Sequence, residues 1–201
     1  GRSVSRFAER KRVVPDEDLG PLVATEMTRC IHCTRCVRFM DDIAGTTELG
    51  GMFRGEHTEI GTYIGRSLRS ELSGNVIDLC PVGALTNKVF RFRARPWELL
   101  ARESIGYHDA LGSNLFHHVR RGEILRSVPR DNEAVNECWL SDRDRFSYEG
   151  LNAADRLTRP MVKTDGQWEE VDWQVALERV AAGLKAATAA GGESLGVLVS
   201  P

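Results

Sequence analysis

The stretch Cys30-Ile31-His32-Cys33-Thr34-Arg35-Cys36 decides the fold of this chain, and Cys80-Pro81 completes it further along the sequence. Three cysteines with the spacing C-x2-C-x2-C can bind three corners of one iron–sulfur cubane, and a distant cysteine can bind the fourth. The proline after Cys80 turns the chain away from such a cluster. The pattern therefore predicts one [4Fe–4S] cluster with Cys30, Cys33, Cys36 and Cys80 as its metal ligands.

A zinc-stapled interaction or nucleic-acid module is the alternative from a different class of protein. Structural zinc sites more often use two separate C-x2-C pairs than one arc of three cysteines. The formal net charge of −2 also gives no basic field that would attract nucleic acid. An odd count of five cysteines, with tight C-x-x-C spacing among the first three, is not typical of a secreted disulfide framework, so a metal centre in a reducing intracellular compartment is favoured.

Several residues near the cysteines could take part in the site. We expect His32 not to be a ligand, because four cysteines already complete a cluster. Positive charge close to the ligands could offset the thiolate charge or donate hydrogen bonds to sulfur; the candidates are Arg29, Arg35 and Arg38.

Other chemistry-bearing residues have plainer interpretations. Glu71 and Asp78 are interpreted as isolated carboxylates, solvated or capping a helix. Neighbouring histidines His117 and His118 would point to opposite faces of a strand and form no ligand pair. Cys138, next to Trp139, is interpreted as a buried structural thiol. The sequence contains no G-x-G-x-x-G loop and no nucleophile–base motif, so we predict no catalytic residues and no NADH site in this chain.

The rest of the sequence predicts an α+β protein in three parts. Residues 1–29 are a charged connector that ends in a short helix, and they precede the glycine-rich residues 30–100. Such a loop-rich segment is expected not to close a large apolar core, so that a metal would have to hold it together. Residues 1–100 are therefore predicted to be a loop-rich, ferredoxin-like cluster domain.

The remaining two parts are a small β-rich domain and the start of an α/β domain. Within residues 101–157, two strand-like runs flank a turn at 120–123 and predict a hairpin. Within 158–201, Asp172 can cap a helix that is followed by a strand at 195–199. Its apolar positions follow the spacing of one buried face; they are Trp173, Ala176, Leu177, Val180, Ala181 and Leu184.

Several motifs resemble the large iron–sulfur subunits of respiratory complex I, which include the G subunit of the bacterial NADH–quinone oxidoreductase. The resemblance covers nearly the whole chain and is most specific in residues 27–99. The segments that carry it are 27–39 around the first three cysteines, Glu59-Ile60-Gly61-Thr62-Tyr63, Ser70-Glu71-Leu72-Ser73-Gly74-Asn75, 78–86 around Cys80, and Ala94-Arg95-Pro96-Trp97-Glu98-Leu99.

This resemblance implies an electron-transfer role within an oxidoreductase complex, NADH dehydrogenase with quinone as acceptor. It implies that the four cysteines hold a [4Fe–4S] cluster on a relay from flavin toward quinone. The chain would then be an internal piece, with a further [4Fe–4S] and a [2Fe–2S] cluster preceding it. The implied partners are other peripheral-arm subunits, among them the flavin-bearing one. The implied location is peripheral, on the cytoplasmic side of the bacterial inner membrane or on the matrix side in mitochondria, with no nucleic acid and no membrane span.

From about residue 101 the sequence resembles the molybdopterin oxidoreductases. In catalytic members that region opens with further cluster cysteines, but residues 103–112 contain none, and Ser141 stands at the later ligand position. Cys138 is three residues away from it. The resemblance therefore implies a domain without its own cluster. A diaphorase iron–sulfur subunit of an NAD-linked hydrogenase or of a formate dehydrogenase remains the alternative function.

Overall fold

In the computed structural model, which describes residues 3–189, 191, 193 and 195–199, very short elements surround the cysteines. In chain order they are β1 (Val23–Thr25), α1 (Arg35–Arg38), β2 (Gly50–Met52), β3 (Glu59–Gly61), α2 (Asn75–Leu79) and β4 (Leu85–Asn87). Strand β1 pairs antiparallel with β4, and β2 pairs antiparallel with β3. The short helix predicted at the end of residues 1–29 is a 3-10 turn over Met27–Arg29.

These short elements nevertheless enclose an apolar core, so the expectation of no large core in this region was wrong. Four of these elements, β1, β3, α2 and β4, supply one buried apolar side chain each, and the other buried residues lie outside these elements, so no periodic pattern reveals this core. Met40 and Val76 are completely buried. The buried members of the core are Leu19, Val23, Met27, Phe39, Met40, Leu49, Ile60, Val76 and Leu85.

A three-stranded antiparallel sheet follows, formed by β5 (Leu100–Ile105), β6 (Asn114–Arg120) and β7 (Glu123–Pro129) in that order. The predicted hairpin is confirmed as β6 and β7. Its two-residue turn, Arg121-Gly122, has left-handed backbone at both positions (φ 53° and 83°), as a turn that matches strand twist requires. Strand β5 was not predicted, because its residues are mostly exposed and its sequence, Leu-Ala-Arg-Glu-Ser-Ile, shows no apolar alternation.

The neighbouring histidines of β6 make separate hydrogen bonds across the hairpin. His117 Nδ1 lies 2.9 Å from Ser127 Oγ, and Arg126 Nε donates to His118 Nδ1 at 2.9 Å. Burial lowers the pKa of both rings, and the Arg126 charge lowers the pKa of His118 further. Both rings are therefore neutral in the folded protein near pH 7.

Acidification below about pH 6.5 is expected to destabilise this hairpin, because the unfolded chain then binds protons that the folded histidines take up less readily. The His118→Gln variant should show a smaller loss of unfolding free energy between pH 7.5 and 5.5 than the wild type. Chemical denaturation at both pH values measures this, and His57→Gln at an exposed histidine is the control. Equal pH dependence in the wild type and His118→Gln would contradict the assignment.

After the sheet, α3 (Asp142–Phe146) and a 3-10 segment (Ser147–Asn152) lead to the last elements. By the contacts between its residues the chain divides into two units, Gly1–Tyr148 and Glu149–Pro201. The mixture of helices and strands confirms the α+β class. The finer division into 1–100, 101–157 and 158–201 stays a prediction.

The second unit contains a hairpin of β8 (Met161–Thr164) with β9 (Gln167–Glu170) and the helix α4 (Trp173–Thr188). The predicted helix start after Asp172 is confirmed, although the Asp172 side chain makes no capping hydrogen bond.

Two other predictions for this unit were wrong. The apolar face of α4 is exposed, with Trp173 69% and Leu177 58% accessible. Residues 195–199 form no strand. A buried helix face and a buried strand both need a second layer of secondary structure to pack against. None of the described residues from 149 to 199 is buried, so these residues provide no such layer. Residues 190, 192 and 194, between the helix and residue 195, lie outside the described part of the chain.

Candidate metal centre

The four predicted ligands lie together around one cavity. Cys30, Cys33, Cys36 and Cys80 all line it, all are half-buried, and all are free thiols. Most of the other lining side chains are apolar. The structure thus brings a set of four soft sulfur donors into one largely apolar site, which is the donor chemistry that iron–sulfur clusters require.

Local backbone geometry explains how three cysteines from one short segment reach the same cavity. Cys30 ends the 3-10 turn, with its N–H donating to the Met27 carbonyl at 3.0 Å. His32 and Thr34 then adopt left-handed backbone, with φ of 53° and 58°. This conformation costs about 1–2 kcal/mol per non-glycine residue. It bends the chain sharply between the cysteines before α1 begins at Arg35.

The fourth cysteine comes from a separate element. Cys80 follows the last residue of α2, and its N–H donates to the Val76 carbonyl at 3.2 Å. Val76 is completely buried in the core. Packing of this residue therefore fixes the carbonyl group to which the N–H of Cys80 is bound.

Backbone N–H groups point at the sulfur atoms from both sides of the cavity. The N–H of His32 donates to Cys30 Sγ at 3.4 Å, and the N–H of Leu85 donates to Cys80 Sγ at 3.4 Å. Donors of this kind stabilise negative charge on sulfur, which a metal-bound thiolate carries.

Burial raises the pKa of the Cys36 thiol to about 11, the N–H of Val37 opposes this shift, and the neighbouring thiols add to it. At neutral pH the thiol of Cys36 is therefore protonated until a metal takes the place of the proton. Metal binding here releases protons and is favoured by higher pH.

The four sulfur atoms surround the cavity and do not converge on one point. Among the described residues, no three His, Cys, Asp or Glu side chains are close enough to hold a single metal ion. A [4Fe–4S] cluster binds each cysteine at a different iron, so its ligands need no common point.

The other residues predicted near the site differ in their positions. His32 does not line the cavity, and its Nε2 lies 3.3 Å from Arg12 Nη1. Arg35 lines the cavity, whereas Arg29 forms an ion pair with Glu26 at 3.1 Å. The exposed Arg38 does not line the cavity either.

The interpretation of Asp78 as an isolated carboxylate was wrong. Its Oδ2 lies 2.7 Å from Nη2 of Arg145, which is completely enclosed. The sequence did not predict this ion pair, because Asp78 and Arg145 are far apart along the chain.

Comparison with known proteins gives the family. Residues 20–86 match the ferredoxin-like domain of NADH-quinone oxidoreductase subunit 3. Residues 99–149 match the NADH-ubiquinone oxidoreductase NDSU1/NuoG-like 4Fe-4S domain, and residues 156–200 match molybdopterin oxidoreductase.

The chain is 51% identical to the NADH-quinone oxidoreductase G subunit of Rickettsia conorii, over 92% of this chain and 27% of that protein. It is 56% identical to the 75 kDa subunit of NADH-ubiquinone oxidoreductase of Reclinomonas americana, over 88% of this chain and 25% of that protein.

The chain belongs to the family of these large NADH-quinone oxidoreductase subunits. It spans about a quarter of the length of these relatives. None of the helices in the described residues is long and apolar enough to cross a membrane.

In this member of the family, the second matched region has no set of cysteines. Ser141, at the position where the resemblance would place a ligand, is the N-cap of α3, and its Oγ accepts a hydrogen bond from the N–H of Asp144 at 3.1 Å. Cys138 is exposed, so its interpretation as a buried thiol was wrong. The pKa of the Cys138 thiol is raised, mainly by partial burial and to a smaller extent by the negative charge of Asp131.

Proposed function

We propose that this chain carries electrons within NADH:quinone oxidoreductase, respiratory complex I, through one [4Fe–4S] cluster held by Cys30, Cys33, Cys36 and Cys80. The observation that carries the proposal is the placement of four free thiols around one largely apolar cavity. Membership of the family supports the same role, since relatives at about 50% identity are named as subunits of that enzyme.

In this proposal the residues of the chain bind the cluster and control its surroundings. The four thiolates hold the group, which when bound supplies reversible one-electron transfer. Cys30 and Cys80 also receive backbone N–H donors that disperse negative charge on sulfur. Met27, Ile60 and Leu85 form apolar walls beside the ligands. Burial and these hydrogen bonds are the means by which a protein sets a cluster potential.

The wider role is proposed from the family. Electrons would arrive from NADH by way of the flavin-bearing subunit and continue through other cluster-bearing subunits of the peripheral arm toward quinone. The chain would act at the membrane periphery as part of that arm, facing the bacterial cytoplasm or the mitochondrial matrix. The further [4Fe–4S] and [2Fe–2S] clusters implied by the resemblance would belong to parts of the protein outside this chain.

Spectroscopy of the anaerobically reconstituted chain tests the proposal. We expect about four irons and four sulfides per chain, because one cubane contains four of each. We also expect broad visible absorption that bleaches on reduction, with a paramagnetic resonance signal in the reduced state. Stoichiometric zinc, or a chain that takes up no iron, would contradict the proposal. About eight irons per chain would contradict the count of one cluster.

A further inference from the structure

A buried arginine from α3 contacts the helix that carries the fourth cysteine. Arg145 is 1% exposed. Its Nη2 lies 2.7 Å from Asp78 Oδ2 and 3.0 Å from Asn75 Oδ1. Residues three apart in a helix lie on the same face, so a single guanidinium binds both ends of this face of α2.

Residues just before Arg145 hold the start of the same helix. The carboxylate of Asp142 accepts hydrogen bonds from Ser73 Oγ and from the N–H of Gly74, both at 2.6 Å. This contact is closely packed, because a Cβ at Gly74 would come within 2.7 Å of Arg145 Cδ and Asp142 Oδ1. Asp142 and Arg145 therefore hold α2 along its length.

The orientation of α2 matters because the helix has only five residues. So short a helix is not stable by itself and takes its direction from tertiary contacts. Cys80 follows its last residue and is the one proposed ligand outside the arc of residues 30–36. Whatever fixes α2 therefore also fixes the direction in which this thiol faces.

We infer that Arg145 is a positioning residue for the fourth cluster ligand, and that it holds Cys80 toward the cavity by bridging Asn75 and Asp78. The inference rests on the proposed function. Arg145 also places a buried positive charge beside Asp78, two residues before the ligand. Without that charge, the carboxylate of Asp78 would lose its ion-pair partner, and the charge of Arg126, which also acts on Asp78, would offset it less completely. The negative charge left near the cluster would disfavour the extra electron of the reduced state.

The experiment compares the full chain, reconstituted with its cluster, in the wild type and four variants. Arg145→Met removes the charge and both contacts, and Arg145→Lys keeps the charge but replaces the planar guanidinium, whose Nη2 contacts both Asn75 and Asp78, with a single ammonium group. Asp78→Asn removes the partner charge, and Tyr148→Phe, which deletes a hydroxyl that donates to the Leu125 carbonyl at 2.8 Å, is the control for general loosening of this region. Two quantities are measured: the rate of cluster loss to an iron chelator and the reduction potential.

We expect Arg145→Met to lose the cluster at least about 10-fold faster than wild type, because both contacts from Arg145 that hold α2, to Asn75 and to Asp78, are lost. Its potential should fall, that of Asp78→Asn should rise, and that of Arg145→Lys should stay near wild type with an intermediate loss rate. Tyr148→Phe should match wild type in both quantities.

Opposite shifts of potential in Arg145→Met and Asp78→Asn are a result that a purely structural role would not give. Cluster loss and potential in Arg145→Met equal to those of Tyr148→Phe would overturn the inference. Should Arg145→Met not fold, Asp78→Asn with an unchanged potential and loss rate overturns it alone. A wild-type chain that binds no cluster contradicts the proposed function instead.

Discussion

Cys80→Ser is expected to lower the iron content of the reconstituted chain from about four atoms to fewer than one. The other three cysteines come from one short arc, so Cys80 is the only proposed ligand on the α2 side of the cavity. A serine hydroxyl is a harder donor that stays protonated at neutral pH, whereas cluster iron selects soft thiolates. The arc alone would leave one iron corner without a protein ligand and open to solvent.

The stability of the same variant distinguishes two contributions to the fold. Metal binding to the native state adds to its stability, and the apolar core around Met40 and Val76 adds separately. Cys80→Ser should therefore unfold at the midpoint of the metal-free wild type, well below that of the loaded wild type. Thermal unfolding followed by circular dichroism, together with iron analysis, makes the comparison.

Cys138→Ser is the matched control, since it makes the same change of atoms at a thiol outside the cavity. Cys138 is exposed, so the variant should keep about four irons, its resonance spectrum and its stability. Full iron occupancy in Cys80→Ser would remove Cys80 from the ligand set. Loss of iron in Cys138→Ser would instead show that the second matched region contributes a ligand.

The parts of this fold that depend on local spacing could be predicted from the sequence. The three cysteines of residues 30–36 lie within seven positions, and a short spacing restricts the distance between their side chains. The hairpin turn at Arg121-Gly122 and the start of α4 after Asp172 are likewise local signals. The proline after Cys80 predicts it as the fourth ligand, and the fold brings it to the same cavity as the other three cysteines.

Contacts between distant residues could not be predicted in this way. Asn75 and Arg145 are 70 positions apart, and the residues around each of them give no signal that the two side chains are hydrogen-bonded. The core of the cysteine region is assembled from single apolar residues in many short elements, so it shows no period. Helix α4 is the opposite case. Its periodic apolar pattern predicts a buried face, but burial also requires a second layer of structure, and in this structure that face is exposed.

Asn75→Ala is expected to lower the free energy of unfolding by about 3–5 kcal/mol, a large effect for one polar side chain. Asn75 is 1% exposed and uses its whole amide group. Its Nδ2 donates to the carbonyls of Leu72 and Leu140, both at 2.9 Å. Its Oδ1 accepts from the N–H of Leu140 and from Arg145 Nη2, both at 3.0 Å.

Alanine would leave the N–H and C=O of Leu140 without these partners in a residue that is only 1% exposed. Each buried polar group left unsatisfied costs about 1–3 kcal/mol, and the guanidinium of Arg145 would lose one of its two acceptors. Chemical denaturation of the metal-free chain measures the effect without a contribution from the cluster. Asn152→Ala, at an exposed asparagine, should change the stability by less than about 0.5 kcal/mol. A loss below about 1 kcal/mol in Asn75→Ala would show that water or a shifted neighbour satisfies these groups, and that segment 140–145 is held to α2 by its other contacts.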